Sequence, residues 1–169
     1  MTAPTTIGGV VDFLKDQHTT IKEMMPGVLQ TTGAQRATAF ATVRQTLAVH
    51  EAFEQVIVHP HARLDAAAED VEERVREEHE AGDAITELEG LDPDDRDFED
   101  AYATFMRDVI AHADHEEHRE FEAITHTFSE SECARIRRGV ELMEVVVEGP
   151  TSDLPFEQML ENAKEVITG

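Results

Sequence analysis

Cysteine is nearly missing from this chain, tryptophan is missing altogether, and lysine occurs only at positions 15, 22 and 164. The single thiol, Cys133, excludes an internal disulfide and suits a reducing, cytoplasmic compartment. No run of apolar residues approaches the roughly 18 that a membrane helix needs. The opening stretch, MTAPTTIGGVVDFLKDQH, has no basic segment followed by an apolar one, so no signal peptide is expected. Positive charge is also scarce: 14 Lys and Arg stand against 37 Asp and Glu, for a net charge of −23. A surface this acidic repels nucleic acids and anionic membranes, which are set aside as partners. A Gly-rich phosphate loop and a DNA-binding motif are both missing.

What is present is helical periodicity. No segment alternates with period two, and 169 residues suit one domain with a real core. The first helix is predicted from about Thr5 to Gln30, with a kink at Pro26 and an end at Gly33. Its apolar line is Val11, Leu14, His18, Ile21, Met25 and Val28. The second is predicted from Ala34 to Val58, stopping at "HPH", along Phe40, Val43, Leu47, His50, Glu54 and Ile57. A looser segment follows over 59–67. The third runs from Ala68 to Glu89 along Val71, Val75, His79, Gly82, Ile85 and Leu88. After the loop "GLDPDD", the fourth runs from Asp95 to His126 along Phe98, Tyr102, Phe105, Val109, His112 and Glu116. "SESE" at 129–132 reads as a fresh N-cap, and two shorter amphipathic helices complete the chain. The fold class is therefore all-α, an antiparallel up-down-up-down four-helix bundle with additional C-terminal helices.

Each apolar line is interrupted by chemistry. His18 breaks the first, His50 and Glu54 the second, His79 the third, and His112 and Glu116 the fourth. Residues i and i+4 lie one turn apart, so each His–Glu pair reaches toward one point. A lone histidine on such a line is ordinarily a hydrogen-bonded core residue. Six polar groups in four seams are different, because each unpaired buried carboxylate costs several kcal/mol and the seams hold no Lys or Arg. A metal ion satisfies all six at once. Four imidazoles and two carboxylates suit two ions bridged by the carboxylates, and mixed N and O donors favour iron, then manganese or zinc.

The segments "DFLKDQH", "HEAFEQVIVHP", "EEHEAGDAITELEGLD" and "HADHEEHREF" together resemble, in order, those of the hemerythrin-like, or HHE cation-binding, family, over about residues 7–128. Within that family the pattern is similar to that of actinobacterial hemerythrin-like proteins. The resemblance implies a bundle over residues 1–128, with 129–169 as a helical extension packed on it. It implies a non-haem di-iron centre with an oxide or hydroxide bridge. His18, His50, His79 and His112 would be terminal ligands, and Glu54 and Glu116 the bridging ones. For some relatives of this subset the implied activity is catalase-like decomposition of hydrogen peroxide. The alternative is binding or sensing of dioxygen, nitric oxide or iron without turnover. The expected partner is a small molecule, and the expected state a monomer or weak homodimer.

The chain departs from the oxygen-carrying members at one place. They carry a second histidine where Asp83 stands, so Asp83 is a candidate seventh ligand or an outer acceptor for a ligand imidazole. Glu51, beside His50, is another candidate ligand. His59 and His61 are expected at the surface of a helix end, His115 and His118 off the inner line, and Tyr102 in the core.

Overall fold

The computed structural model describes residues 7–65, 68–121 and 128–169, and every regular element among the described residues is helical. Helix α1 spans Ile7–Gln30, with Pro26 inside it, and α2 spans Gly33–Phe53. A π-helical turn, π1, follows over Glu54–Val58 and leads directly into α3, His59–Asp65. Helix α4 covers Ala68–Glu89 and α5 covers Arg96–His115, which passes into a second π turn, π2, over Glu116–Glu120. The chain ends with α6, Glu130–Glu148, and α7, Phe156–Thr168. His126 and the alanines at 66–67 lie outside the described residues. Among the described residues, no helix is long and apolar enough to cross a membrane.

The expectation that the second helix stops at "HPH" is corrected: the chain stays helical through His59, Pro60 and His61. Proline lacks an N–H and its ring collides with the carbonyl four residues back. A π turn immediately before it widens the spiral, so the chain passes the proline without breaking. The defining bond is the His59 N–H donating to the Glu54 carbonyl, five residues back. The same bond recurs in π2, where the Phe121 N–H donates to the Glu116 carbonyl.

Two loops meet at one end of the molecule. Gly33 takes the left-handed conformation (φ 57°), and its N–H donates to Asp94 Oδ1 at 2.7 Å. Arg36, buried, then clamps both loops: its Nε donates to the Thr31 carbonyl at 2.6 Å and its Nη1 to the Pro93 carbonyl and Glu99 Oε1, each at 2.8 Å. The α1–α2 and α4–α5 connections therefore lie side by side. Helix α1 packs on α2 and α5, and α4 packs on α5. Helix α6 lies against α2, and α7 lies against α2, α4 and α6. Ser129 and Glu132 form the reciprocal cap at the start of α6 that "SESE" signals.

The core is in two parts. One cluster gathers Leu14, Phe53, Ile57, Phe121, Ile136 and Ile167. The other gathers Ile21, Met25, Phe40, Leu47, Phe98 and Tyr102. Burying each large side chain contributes about 1.5–3 kcal/mol, so both layers are strong stabilisers. Between them lies a polar layer, which holds the site.

Candidate metal centre

His18 sits on α1 between Leu14 and Ile21, and His50 on α2 between Leu47 and Phe53; all six are buried. The Nε2 atoms of His18 and His50 are 3.1 Å apart. His18 Nε2 is also 3.3 Å from Glu116 Oε2 and 3.7 Å from Glu54 Oε1, and His50 Nε2 is 3.4 Å from Glu54 Oε1. His112 Nε2 is 3.4 Å from Glu116 Oε1. Two groups of potential ligand atoms result, each within 4.8 Å of one another. One is His18, His50, Glu54 and Glu116; the other is Glu54, Glu78, His112 and Glu116. Glu54 and Glu116 belong to both, which is the arrangement of carboxylates shared by two positions.

A metal fits this layer on a direct observation. Both carboxyl oxygens of Glu54 and of Glu116, and Nε2 of His112, are buried without a hydrogen-bond partner. Buried polar groups are almost always paired, and each unsatisfied one costs about 1–3 kcal/mol or more if charged. Here the orphans converge on one place. The donor set of imidazoles and carboxylates suits iron, manganese or zinc.

The outward nitrogens are anchored. His18 Nδ1 donates to Glu117 Oε1 at 3.0 Å, His50 Nδ1 to Gln17 Oε1 at 3.0 Å, and His112 Nδ1 to Glu77 Oε2 at 2.9 Å. Holding Nδ1 leaves each Nε2 directed at the carboxylates and fixes the ring. Cations back two of these acceptors: Lys22 Nζ lies 3.1 Å from Glu117 Oε1, and Arg74 Nη1 lies 2.7 Å from Glu77 Oε2.

Without a metal, protons carry the balance. Burial alone would lower His112, but Glu116, Glu51 and Glu54 outweigh it and raise its pKa to about 11. Burial pushes Glu116 up, but the charge of His112 close beside it holds it well below the usual carboxylate range. Glu54 is raised well above that range by burial and then by Glu116; Glu51 is raised by burial and then by Glu78. His50 is lowered well below its usual value by burial and by His18. The buried carboxylates around His112 thus favour positive charge beside it.

The structure does not bring His79 into this cluster. Its side chain is exposed, one residue from Glu78, which is buried and does belong. The buried face of α4 runs through Arg74, Glu78, Ile85 and Leu88, one residue out of phase with the face through Val75 and His79. Asp83 is exposed on the same side as His79. Glu51 is buried and lies outside both ligand groups.

The expectation of surface histidines at "HPH" is overturned. His59 and His61 are both buried, because π1 turns α3 by about one residue relative to α2. His59 Nε2 bonds Glu78 Oε1, and Gln55 Nε2 donates to Glu78 Oε2 at 2.8 Å. His61 instead contacts the start of α6 and the residues before it: its Nε2 lies 3.1 Å from Glu132 and its ring 4.8 Å from that of Phe128. His115 and His118 are exposed, as their off-line positions imply. Tyr102 is buried in the core, donating to the Met25 carbonyl at 3.1 Å.

Two cavities flank α4. One, of about 560 Å³, lies between α4 and α7; the other, of about 280 Å³, lies between α4 and α5 and reaches His112. Glu51 lines both.

The sequence profile of the hemerythrin HHE cation-binding domain matches residues 9–124. The chain belongs to the hemerythrin HHE cation-binding family. No curated protein and no solved structure gives a significant match to it. The matched span of this hemerythrin domain contains both candidate ligand groups and both π turns, and it ends before α6. Family and geometry agree that the chain is a metal-binding protein, with His and Glu side chains clustered to hold the ion.

Proposed function

We propose that this hemerythrin-domain protein holds two iron ions and decomposes hydrogen peroxide. The observation that carries the two-ion reading is the pair of buried carboxylates, Glu54 and Glu116, whose four oxygens have no partner and which belong to both ligand groups. In this reading His18 and His50 hold one ion, and His112 holds the other. Glu54 and Glu116 serve both. Glu78 is α4's contribution in the arrangement described above, in place of the His79 that the family pattern implies. The side-by-side loops clamped by Arg36 support an antiparallel four-helix bundle of α1, α2, α4 and α5.

Bound iron would supply the redox change by which one peroxide is oxidised to dioxygen while another is reduced to water. The chain supplies position and a dry surround. Phe121 stacks on the His18 ring, with centroids 5.6 Å apart, and closes one side of the layer. The cavity reaching His112 is about 280 Å³, below the usual range for drug-sized ligands, which suits peroxide or a diatomic gas. The test is oxygen release from peroxide by iron-loaded protein at an oxygen electrode. Release no faster than that of free iron, or equal release by a His112→Ala variant, refutes turnover.

A second reading, iron sensing without turnover, is favoured by the same orphaned carboxylates, because a site this poorly satisfied when empty couples metal to folding. A metal-free protein that melts at the same temperature as the loaded form refutes it.

A further inference from the structure

Glu51 has no place in either ligand group, yet it is only 7% exposed and its Oε2 is buried without a hydrogen-bond partner. Its side chain forms part of the wall of the 560 Å³ cavity. That cavity runs between α4 and α7, and its lining includes Glu78, a member of the second ligand group. Farther out, His79 and Asp83 share a face of α4, one helical turn apart, and both are exposed. Carboxylates dominate the lining: Glu51, Glu78, Asp83, Glu157 and Glu161 stand against Arg63 and Lys164. A cleft lined mainly by one sign of charge concentrates the opposite ion and speeds its association.

We propose that this cavity is the loading route for divalent metal ions, with His79 and Asp83 capturing the ion at the outer end and Glu51 transferring it to Glu78. The proposal rests on the two-ion reading above. It gives three groups a shared role: an exposed His–Asp pair of ligand type, and a buried carboxyl group aimed into an opening. It also gives the C-terminal extension a task, since Phe156, Leu160 and Lys164 of α7 form the far wall. Only bond exchange between ligands is involved, with no change in oxidation state.

The test follows uptake of cobalt(II) by metal-free protein in a stopped-flow spectrometer, with the final metal content measured by elemental analysis. Two variants alter the route. Glu51→Gln keeps its shape and removes the carboxylate that would carry the ion. Gly82→Leu places a side chain in the cavity, and the added Cβ meets only Phe156, at an ordinary contact distance of 3.7 Å. A control, Ala84→Leu, narrows the smaller cavity instead. The expected result is uptake slowed about tenfold in both route variants, the low end of the effect of a charged cleft. Their final metal content should equal that of the unaltered protein, whose own uptake slows as salt is raised. Unchanged uptake in both route variants, or slowing in Ala84→Leu alone, overturns the route. A lower final content in Glu51→Gln overturns the transfer role, making Glu51 a resident ligand. No uptake by the unaltered protein sinks the two-ion reading itself, and this proposal with it.

Discussion

Glu54 and Glu116 stand at equivalent places, each four residues after a histidine and each opening a π-helical turn. Residues five further on are therefore carried toward the same layer: His59 after Glu54, Phe121 after Glu116. The layer is built on both sides by one device, with an imidazole closing it on one side and a phenyl ring on the other.

Glu54 is costly when no metal is present, because burial and the neighbouring Glu116 oppose its charge. Glu54→Leu replaces a buried acid whose oxygens lack partners with an apolar side chain, and the metal-free variant should melt higher than the metal-free parent. The gain is expected to be about 1–3 kcal/mol, the scale of an unsatisfied buried group. The same variant should lose bound metal. Calorimetry with elemental analysis measures both. A metal-free variant less stable than the parent would show that Glu54 is already satisfied.

The choice between neighbours on α4 is open to a direct comparison. Glu78→Ala should lower metal content, because Glu78 lies in the second ligand group. His79→Ala should leave final content unchanged, because its imidazole is exposed. The reverse outcome, with His79→Ala losing metal and Glu78→Ala keeping it, would restore the family pattern and require α4 to turn by about one residue, roughly 100°.

That ambiguity shows what was legible in the sequence. On α1, α2 and α5, large apolar residues flank the polar ones, so the stripe through His18, His50 and His112 has one reading. The first half of α4 reads EDVEERVREEHE, where few apolar side chains anchor a phase. Gly82, with no side chain to bury, does not help. A face through Val75 and His79 and one through Arg74 and Glu78 both continue into Ile85 and Leu88. His59 was hidden for another reason. A π turn adds one residue to a turn, and a spacing rule built on 3.6 residues places everything beyond it on the wrong side. The cap at Ser129 was legible because both of its partners lie within four residues.

Acidity should act oppositely on the metal-free and loaded forms. His112 titrates near 6.5 when unfolded and at about 11 when folded without metal. A raised base contributes stability that is complete below pH 6.5 and lost as pH climbs toward 11. Glu51 and Glu54, raised above 4.5, act in the same direction above that pH. Glu116, held low, loses its contribution only as pH falls below 4.5. The melting temperature of metal-free protein should therefore fall between pH 6.5 and pH 11. Metal binding must displace these protons, so affinity should rise across the same interval. Calorimetry at several pH values checks the first statement and competitive chelation the second. A metal-free melting temperature that climbs with pH contradicts the assignment of the proton to His112.

Where α6 meets α2, space is tight. A Cβ built on Gly139 of α6 would collide with the ring of Phe53, which is fully buried on α2. Gly139→Ala gains helix propensity but must displace that ring, an overpacking cost of about 1–3 kcal/mol. Net destabilisation is expected by thermal melting. An unchanged or raised melting temperature would mean that α6 sits farther from α2 than described.

The anchors behind the imidazoles should govern affinity without touching the metal. Glu117 holds His18 and is itself backed by Lys22, while Glu77 holds His112 and is backed by Arg74. A carboxylate acceptor raises the basicity of its imidazole and fixes the ring, whereas the amide of Gln17 behind His50 does only the second. Glu117→Gln and Glu77→Gln should each weaken metal binding by about 10–100-fold, the range for such outer partners. Gln17→Glu should strengthen it, because it supplies the missing charge within the same geometry. Titration calorimetry with a competing chelator measures all three. If Glu117→Gln binds as tightly as the parent, His18 is held by packing against Phe121 and not by its hydrogen bond.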